Sequence, residues 1–124
     1  MAGTLLLAGL MFAQAAQPGI TVESSPDRFD VGYRELVAQR PADAVERIAA
    51  NRSLEADDPA ALINLGTANA RLGNPDAAID HYRSAIASRQ RYDLELADGR
   101  WMDSRAAARL AITMLAKGEA LALR

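Results

Sequence analysis

Apolar residues recur at helical spacing along most of this chain, and proline and glycine divide the pattern into short segments. The first segment predicts a helix near 26–39. Pro41, Pro59 and Pro75 each begin another segment, because proline suits the first turn of a helix, where its missing N–H is not needed. The connections within each pair of helices are so short that the two helices must be antiparallel neighbours.

Four pairs of similar residues stand 34 positions apart. A glycine on the first helix of a pair and an alanine on the second let two backbones approach closely, while larger residues fill the space around them. A period of this length indicates an internal repeat built from two helices. The pairs are Gly32 with Gly66, Pro41 with Pro75, Ala44 with Ala78, and Val45 with Ile79.

This pattern resembles the tetratricopeptide repeat, whose unit is a 34-residue helix–turn–helix. The best-matching copy lies at about 59–90, and an earlier copy keeps Gly32 and Ala44 but has Gln39 where the family has its second glycine. A third, partial copy is displaced by eleven residues and gives one helix near 104–117. The signature residues of the second and third copies are Leu65, Gly66, Gly73, Ala78, Tyr82, Ala85, Leu110, Ala111 and Gly118.

The resemblance implies an all-α fold for residues 26–124, a short stack of about two and a half repeats. An insertion at 89–102 interrupts it. Leucines alternate with acidic residues there, and Asp98-Gly99 is a favoured two-residue hairpin turn, so we expect a short β-hairpin that places Trp101 opposite Leu96. The alternative is an ordered loop whose Trp101 fills a gap in the core.

The amino terminus has the pattern of an export signal. An apolar run at 5–12 is followed by a small-x-small sequence at 13–15, which predicts a signal peptide over 1–15 and a mature chain in the periplasm or outside the cell. The alternative is an N-terminal helix that packs on the domain or frays. The run is far shorter than the ~20 residues that span a bilayer, so no stable membrane span is expected after cleavage. Residues 16–25 lack periodicity and predict a flexible lead-in.

Composition argues against several functional classes. Fourteen basic and sixteen acidic residues give a formal net charge of -2, which does not favour a nucleic-acid partner. The absence of cysteine excludes disulfides and thiol catalysis, and one histidine, His81, argues against a catalytic triad or a multi-histidine metal site. Asp76 and Asp80 do not converge with His81, because adjacent helical residues point about 100° apart. We therefore expect no enzyme, no cofactor and no metal.

Binding is the better prospect. In the repeat family the first helix of each pair lines a concave face, and one subclass binds C-terminal carboxylates there through Lys, Asn and Arg. The resemblance places Asn64, Arg105, Arg109 and Tyr33 on this face, although Tyr33 stands where such a clamp needs a polar residue. The alternative for the two arginines is a solvated stripe, or pairing with Asp103 and Asp98.

The expected function is a non-catalytic adaptor that binds a protein or peptide. A structural subunit that docks permanently by its C-terminal half-repeat is the main alternative, and an uncharacterised enzyme is a lesser one. Small stacks need their end faces covered, so a homodimer is also possible. The set expected to be buried or to face a second copy is Ala107, Leu110, Met114, Leu115, Leu121 and Leu123.

Overall fold

The computed structural model describes residues 19–23 and 30–122, and the predicted signal peptide lies outside them. Within these ranges the protein is mostly helical, with five helices and a small antiparallel sheet in the order β1-β2-β3. The elements in chain order are β1 (Val22–Glu23), α1 (Tyr33–Val37), α2 (Pro41–Ala50), α3 (Pro59–Arg71), α4 (Pro75–Ala87), β2 (Asp93–Leu96), β3 (Trp101–Asp103) and α5 (Ser104–Ala122).

Each helix packs against the next one along the chain, and α3 also contacts both α1 and α5. The core lies between these helices and the sheet, and it combines many alanines with larger aliphatic side chains and Tyr82. None of the helices in the described part of the chain is both long and apolar enough to cross a membrane.

The first helix is shorter than its periodicity predicts. Of the expected span 26–39, residues 26–29 lie outside the description, and α1 itself begins only at Tyr33. The Gly32 N–H donates to Asp30 Oδ1 at 3.0 Å in an Asx turn, and Gly32 has a φ of 76°. This left-handed residue cannot continue a helix, so Gly32 precedes α1 and does not lie within it.

The turns that follow α1 and α3 have the same backbone hydrogen bonds. The Arg40 N–H donates to the Glu35 carbonyl at 2.8 Å, and the Asn74 N–H donates to the Asn69 carbonyl at 2.8 Å. Hydrogen bonds from an N–H to the carbonyl five residues earlier satisfy the carbonyls that the end of a helix leaves without partners. The two turns are 34 positions apart, so the period of the sequence is also a period of the backbone.

The same two turns contain a left-handed residue at the same point. Gln39 has a φ of 59° and Gly73 has a φ of 82°. Glycine adopts this conformation without the steric cost that a Cβ brings, and glutamine does not. The turn geometry therefore persists in the first copy even where the sequence departs from glycine.

A close contact between glycine and the second helix is repeated as well. A Cβ on Gly66 would lie 2.5 Å from Tyr82 Cε1, and a Cβ on Gly32 would lie 3.2 Å from Ile48 Cδ1 and 3.2 Å from Ala44 Cβ. In both copies the glycine contacts the residue sixteen positions later. The expected close approach of glycine to alanine is confirmed for Gly32, whereas Gly66 lies against the ring of Tyr82.

The other signature positions lie mostly in the core. Leu65 and Leu110 are partly buried, and Gly118 lies within α5, which continues past it to Ala122. Gly118 therefore does not end its helix as Gly73 does. The fully buried signature residues are Ala44, Ala78, Tyr82, Ala85 and Ala111.

The insertion folds as the predicted hairpin, but its register differs from the expected one. Trp101 lies opposite Glu95, not Leu96. The loop has three residues instead of two, because the Gly99 N–H donates to the Leu96 carbonyl at 2.9 Å and the Leu96 N–H donates to the Arg100 carbonyl at 2.7 Å. A turn of this kind followed by a left-handed residue, here Gly99 with a φ of 84°, shifts the pairing by one position.

The shift places Trp101 on the solvent side of the sheet. Its side chain is 66% exposed, whereas Leu94 and Leu96 on the other side are buried. The expected position of Trp101 opposite Leu96 is therefore wrong, and so is the alternative of an ordered loop whose Trp101 fills the core. A one-residue change of register moves every side chain of a strand to the opposite face.

The segment expected to be a flexible lead-in contains a strand. Val22 pairs with Leu96 and Glu23 pairs with Glu95, which makes β1 an edge of the sheet. Ile20, Thr21 and Val22 are all buried. The domain therefore includes residues that precede the predicted boundary at 26.

The last helix begins where it was predicted. Asp103 caps α5, because its Oδ1 accepts from the N–H groups of Arg105 at 3.0 Å and Ala106 at 3.1 Å. Of the set expected to be covered, Ala107 is buried, Leu110 and Leu115 are partly buried, and Met114 is 41% exposed. Leu123 and the side chain of Leu121 lie outside the description.

Gly73 lies in a left-handed turn and Gly118 lies inside a helix, so replacing each by alanine should change the free energy of unfolding in opposite directions. Gly73→Ala should lower the free energy of unfolding by about 1 kcal/mol, because a Cβ there has no steric contact and only the left-handed backbone opposes it. Gly118→Ala, inside α5, should raise it by about 0.5 kcal/mol. Urea denaturation measures both, and effects of the same sign would contradict the turn geometry.

Candidate functional site

Asn64 lies on α3, and its side chain forms hydrogen bonds with the backbone of the residues that precede α1. Its Oδ1 accepts from the Val22 N–H at 2.9 Å, and its Nδ2 donates to the Val22 carbonyl at 2.8 Å and to the Val31 carbonyl at 2.9 Å. The residue is 0% exposed. An asparagine amide thus takes the place of a neighbouring strand for one residue of β1.

Thr67 continues this contact one turn later on α3. Its hydroxyl donates to the Ile20 carbonyl. Because a threonine hydroxyl has one hydrogen, the bond of 2.8 Å between Thr67 Oγ1 and the Tyr82 hydroxyl has Tyr82 as its donor. The chain of hydrogen bonds runs from α4 through α3 to the N-terminal segment.

The opposite side of the same segment pairs with β2. The Ala97 N–H donates to the Thr21 carbonyl at 3.2 Å, and Val22 is in register with Leu96. Successive backbone groups therefore alternate between α3 and β2. We call this site, formed by Asn64, Thr67 and β2, the strand slot, and residues 19–23 its resident segment.

The first residue of the resident segment is Gly19, and the space around it does not admit a side chain. Gly19 has a φ of 98°, and a Cβ on it would lie 2.7 Å from Thr67 Cγ2. Both the backbone conformation and the space therefore require glycine at this position.

The polar side chains of Asn64 and Thr67, and of Tyr82 behind Thr67, are uncharged. Burial raises the pKa of Tyr82 above its ordinary value, while the hydrogen bond with Thr67 and the positive charge of Arg71 lower it by less. Tyr82 therefore stays neutral at physiological pH. Burial also lowers the pKa of Arg71, whose Nη1 donates to the Leu36 carbonyl at 2.7 Å.

The structure does not gather the four predicted binding residues into one open site. Asn64 is covered by the resident segment, and Tyr33 is half-buried on α1. Arg105 Nη2 donates to the Ser88 carbonyl at 3.1 Å, whereas Arg109 is exposed. Arg109 is therefore the one member of the four that is freely accessible to a ligand.

The alternative pairing of these arginines with nearby aspartates is wrong for their guanidinium groups. Asp103 instead pairs with Arg91 at 2.6 Å, and Asp98 pairs with Arg100 at 2.7 Å. Hydrogen bonds from these partners hold the pKa of both carboxyl groups below the ordinary value. The first pair joins the residues before β2 to the start of α5, and the second lies within the loop of the hairpin.

A second concave region lies between the α2–α3 connection and the end of α4. It is an open groove of 740 Å³ whose lining includes Glu55, Asp57 and Leu62. The Gln90 amide already donates to Glu55 Oε2 at 2.7 Å and to Asp57 Oδ1 at 3.1 Å. Two carboxylates that line the groove are thus already paired within the chain, whereas the polar side chains of the strand slot bind extended backbone.

Two sequence signals for the strand slot were available but weak. Ile20, Thr21 and Val22 form a β-branched run, which is typical of strands. Asn64 and Thr67 are polar positions one turn apart within the otherwise apolar stretch 59–68 of α3. The β-branched run is too short, and a pair of polar residues on a helix is too common, for either signal to identify the pairing between segments more than 40 residues apart.

Comparison with protein-family models, with curated proteins and with solved structures gives no match for this chain. The contacts within the chain are therefore the basis on which we infer its function. Among the described residues no group of three His, Asp or Glu side chains could hold a metal ion.

Replacing Asn64 tests how much the strand slot stabilises the fold. Asn64→Ala should lower the free energy of unfolding by about 2–4 kcal/mol, because three buried backbone groups lose their partner. Asn69→Ala is the matched control, since the Asn69 amide bonds to Leu65 within its own helix at 2.8 Å. The control should change stability by less than about 0.5 kcal/mol. Equal losses in urea denaturation would contradict this.

The raised pKa of Tyr82 predicts a loss of stability at alkaline pH. The unfolded chain releases the phenolic proton near pH 10 and the folded chain only at higher pH, so the contribution is intact below pH 10 and falls above it. The slope from one proton is at most about 1.4 kcal/mol per pH unit. Tyr82→Phe should remove this component. Denaturation curves at pH 9 and pH 11 measure the difference, and parallel losses in both proteins would disprove the assignment.

Proposed function

We propose that this chain is a non-catalytic protein-interaction module that binds an extended segment of polypeptide. The observation that carries the proposal is the strand slot, where Asn64 and Thr67 bind backbone groups of the resident segment. Hydrogen bonds of this kind to the backbone give affinity for extended polypeptide, and the space around its side chains gives specificity. The adaptor function expected from the sequence thus has a physical basis on α3.

We further propose that the helices are tetratricopeptide-like repeats. The support is the repetition of turn hydrogen bonds at 34 positions, the repeated glycine contacts, and the packing of α3 on both α1 and α5. In such stacks each unit contacts its neighbours and presents a continuous surface along one set of helices. Function in the periplasm or outside the cell rests on the residue pattern at 1–15 alone.

One observation favours a second candidate, a subunit that docks permanently through α5. Met114 is 41% exposed, and residues 116–118, which follow the partly buried Leu115, are also exposed. An uncovered helix at the end of a stack is a surface that a larger assembly could cover. This candidate uses a different face from the strand slot, so the two can be separated.

Site-specific photo-cross-linking tests both candidates. A benzoylphenylalanine in place of Trp101 reports on the sheet beside the strand slot, one in place of Met114 reports on α5, and one in place of Arg83 on α4 is the control. All three positions are exposed. With extract from the producing cells, we expect one defined protein to cross-link from Trp101 and not from the other positions.

Each other outcome decides against this assignment. A product from Met114 alone would favour the docking subunit. A product from Arg83 alone, or none from any position, would overturn the interaction function at both faces. Mass spectrometry of the cross-linked band identifies the partner and the linked residue.

A further inference from the structure

We propose that an extended strand from a partner protein replaces residues 19–23 in the strand slot, with a sequence of glycine followed by uncharged β-branched residues. The inference rests on the proposed interaction function and deepens it by naming the class of ligand. The chain's own segment is then a resident competitor that the partner displaces.

The first reason is that the strand slot recognises backbone on both edges of its occupant. Asn64 bonds to the N–H and the carbonyl of Val22, and Thr67 bonds to the carbonyl of Ile20. On the other edge β2 supplies a ladder that begins with the Ala97 N–H. Every one of these bonds is available to any polypeptide in the same extended conformation, as in other cases of strand addition.

The second reason is that the fit selects a recognisable sequence. Gly19 is required by its φ of 98° and by the contact with Thr67. The next three residues are buried, and Val22 is 0% exposed. Ile20 and Val22 belong to the apolar core cluster, so a charged side chain at either position would be buried without a partner.

The third reason is that the resident segment can leave without separating the helices. Its β1 spans two residues, pairs with β2 and packs on α3, whereas the contacts of α3 with α2, α4 and α5 do not involve it. Small units of this kind open locally at lower free energy than the whole domain. Opening exposes Asn64, Thr67 and the edge of β2 together.

The experiment uses the full chain with the resident segment weakened. Val22→Asp puts a carboxylate at a fully buried position, so the segment should leave the slot while the slot itself is unchanged. The probe is a fluorescent peptide with the sequence of residues 18–24, PGITVES. Measured by fluorescence anisotropy, it should bind the variant at least tenfold more tightly than the unaltered chain, in which the resident segment competes.

Two matched peptides control for the sequence of the ligand. One carries Gly19→Val, which collides with Thr67, and the other carries Val22→Asp. Each should bind the variant chain at least tenfold more weakly than the native peptide. Equal binding of all three peptides, or native-peptide binding no tighter to a folded variant than to the unaltered chain, would overturn the proposal.

Hydrogen exchange in the unaltered chain keeps the proposal testable if the variant fails to fold. The Val22 N–H donates to Asn64, so its exchange reports directly on opening of the slot. It should exchange at least tenfold faster than amides in the middle of α3, and faster still when excess peptide fills the slot and displaces the resident segment. Exchange as slow as that of α3 would show that the segment leaves only on global unfolding, which overturns the proposal.

Two further results distinguish this inference from the proposed function. A partner that cross-links from Trp101 equally to the unaltered chain and to Val22→Asp would leave the interaction function intact and overturn strand replacement. A dimer of the unaltered chain that dissociates on Val22→Asp, measured by sedimentation, would make a second copy the occupant and overturn the partner strand.

Discussion

The hydrogen bonds of one buried amide determine how the N-terminal part of this protein is assembled. Asn64 is fully buried on α3, and its three bonds reach β1 and the residue that leads into α1. A buried amide without partners is costly, so arrangements that leave Asn64 unpaired are disfavoured. Apolar contacts alone would not fix these positions, because they are non-directional. Asn64 therefore fixes which residue of β1 faces α3, while Thr67 and β2 hold the rest of the segment.

The helical stack was accessible from the sequence because its signals are local. Proline begins α2, α3 and α4, glycine follows α3, and the apolar spacing within each helix determines which side faces the core. The period is kept by the backbone even where the residue differs, since Gln39 has the left-handed conformation that Gly73 has 34 positions later. The start of α1 was missed because an Asx turn at Asp30 competes with the helix over the same residues.

The strand slot was not accessible, because each of its signals is non-local. Val22 and Asn64 are 42 positions apart, and nothing in either neighbourhood specifies the other. The hairpin register depended on one backbone conformation at Gly99, which Asp98-Gly99 allows in a two-residue or a three-residue loop. The family resemblance gave Asn64 a role in binding a ligand. In this structure the same side chain binds polypeptide, but the polypeptide belongs to the chain itself.

The choice of polar residues on α3 has a physical consequence for what can lie there. A leucine in place of Asn64 would add apolar contact with Ile20 and Val22, yet it would leave the outer N–H and carbonyl of β1 without partners. Asparagine satisfies both groups and thereby fixes which residue of an occupant faces α3. Contact by apolar area alone tolerates slippage of a strand, whereas paired backbone groups do not. The strand slot therefore selects conformation and register first, and the side chains of the occupant second.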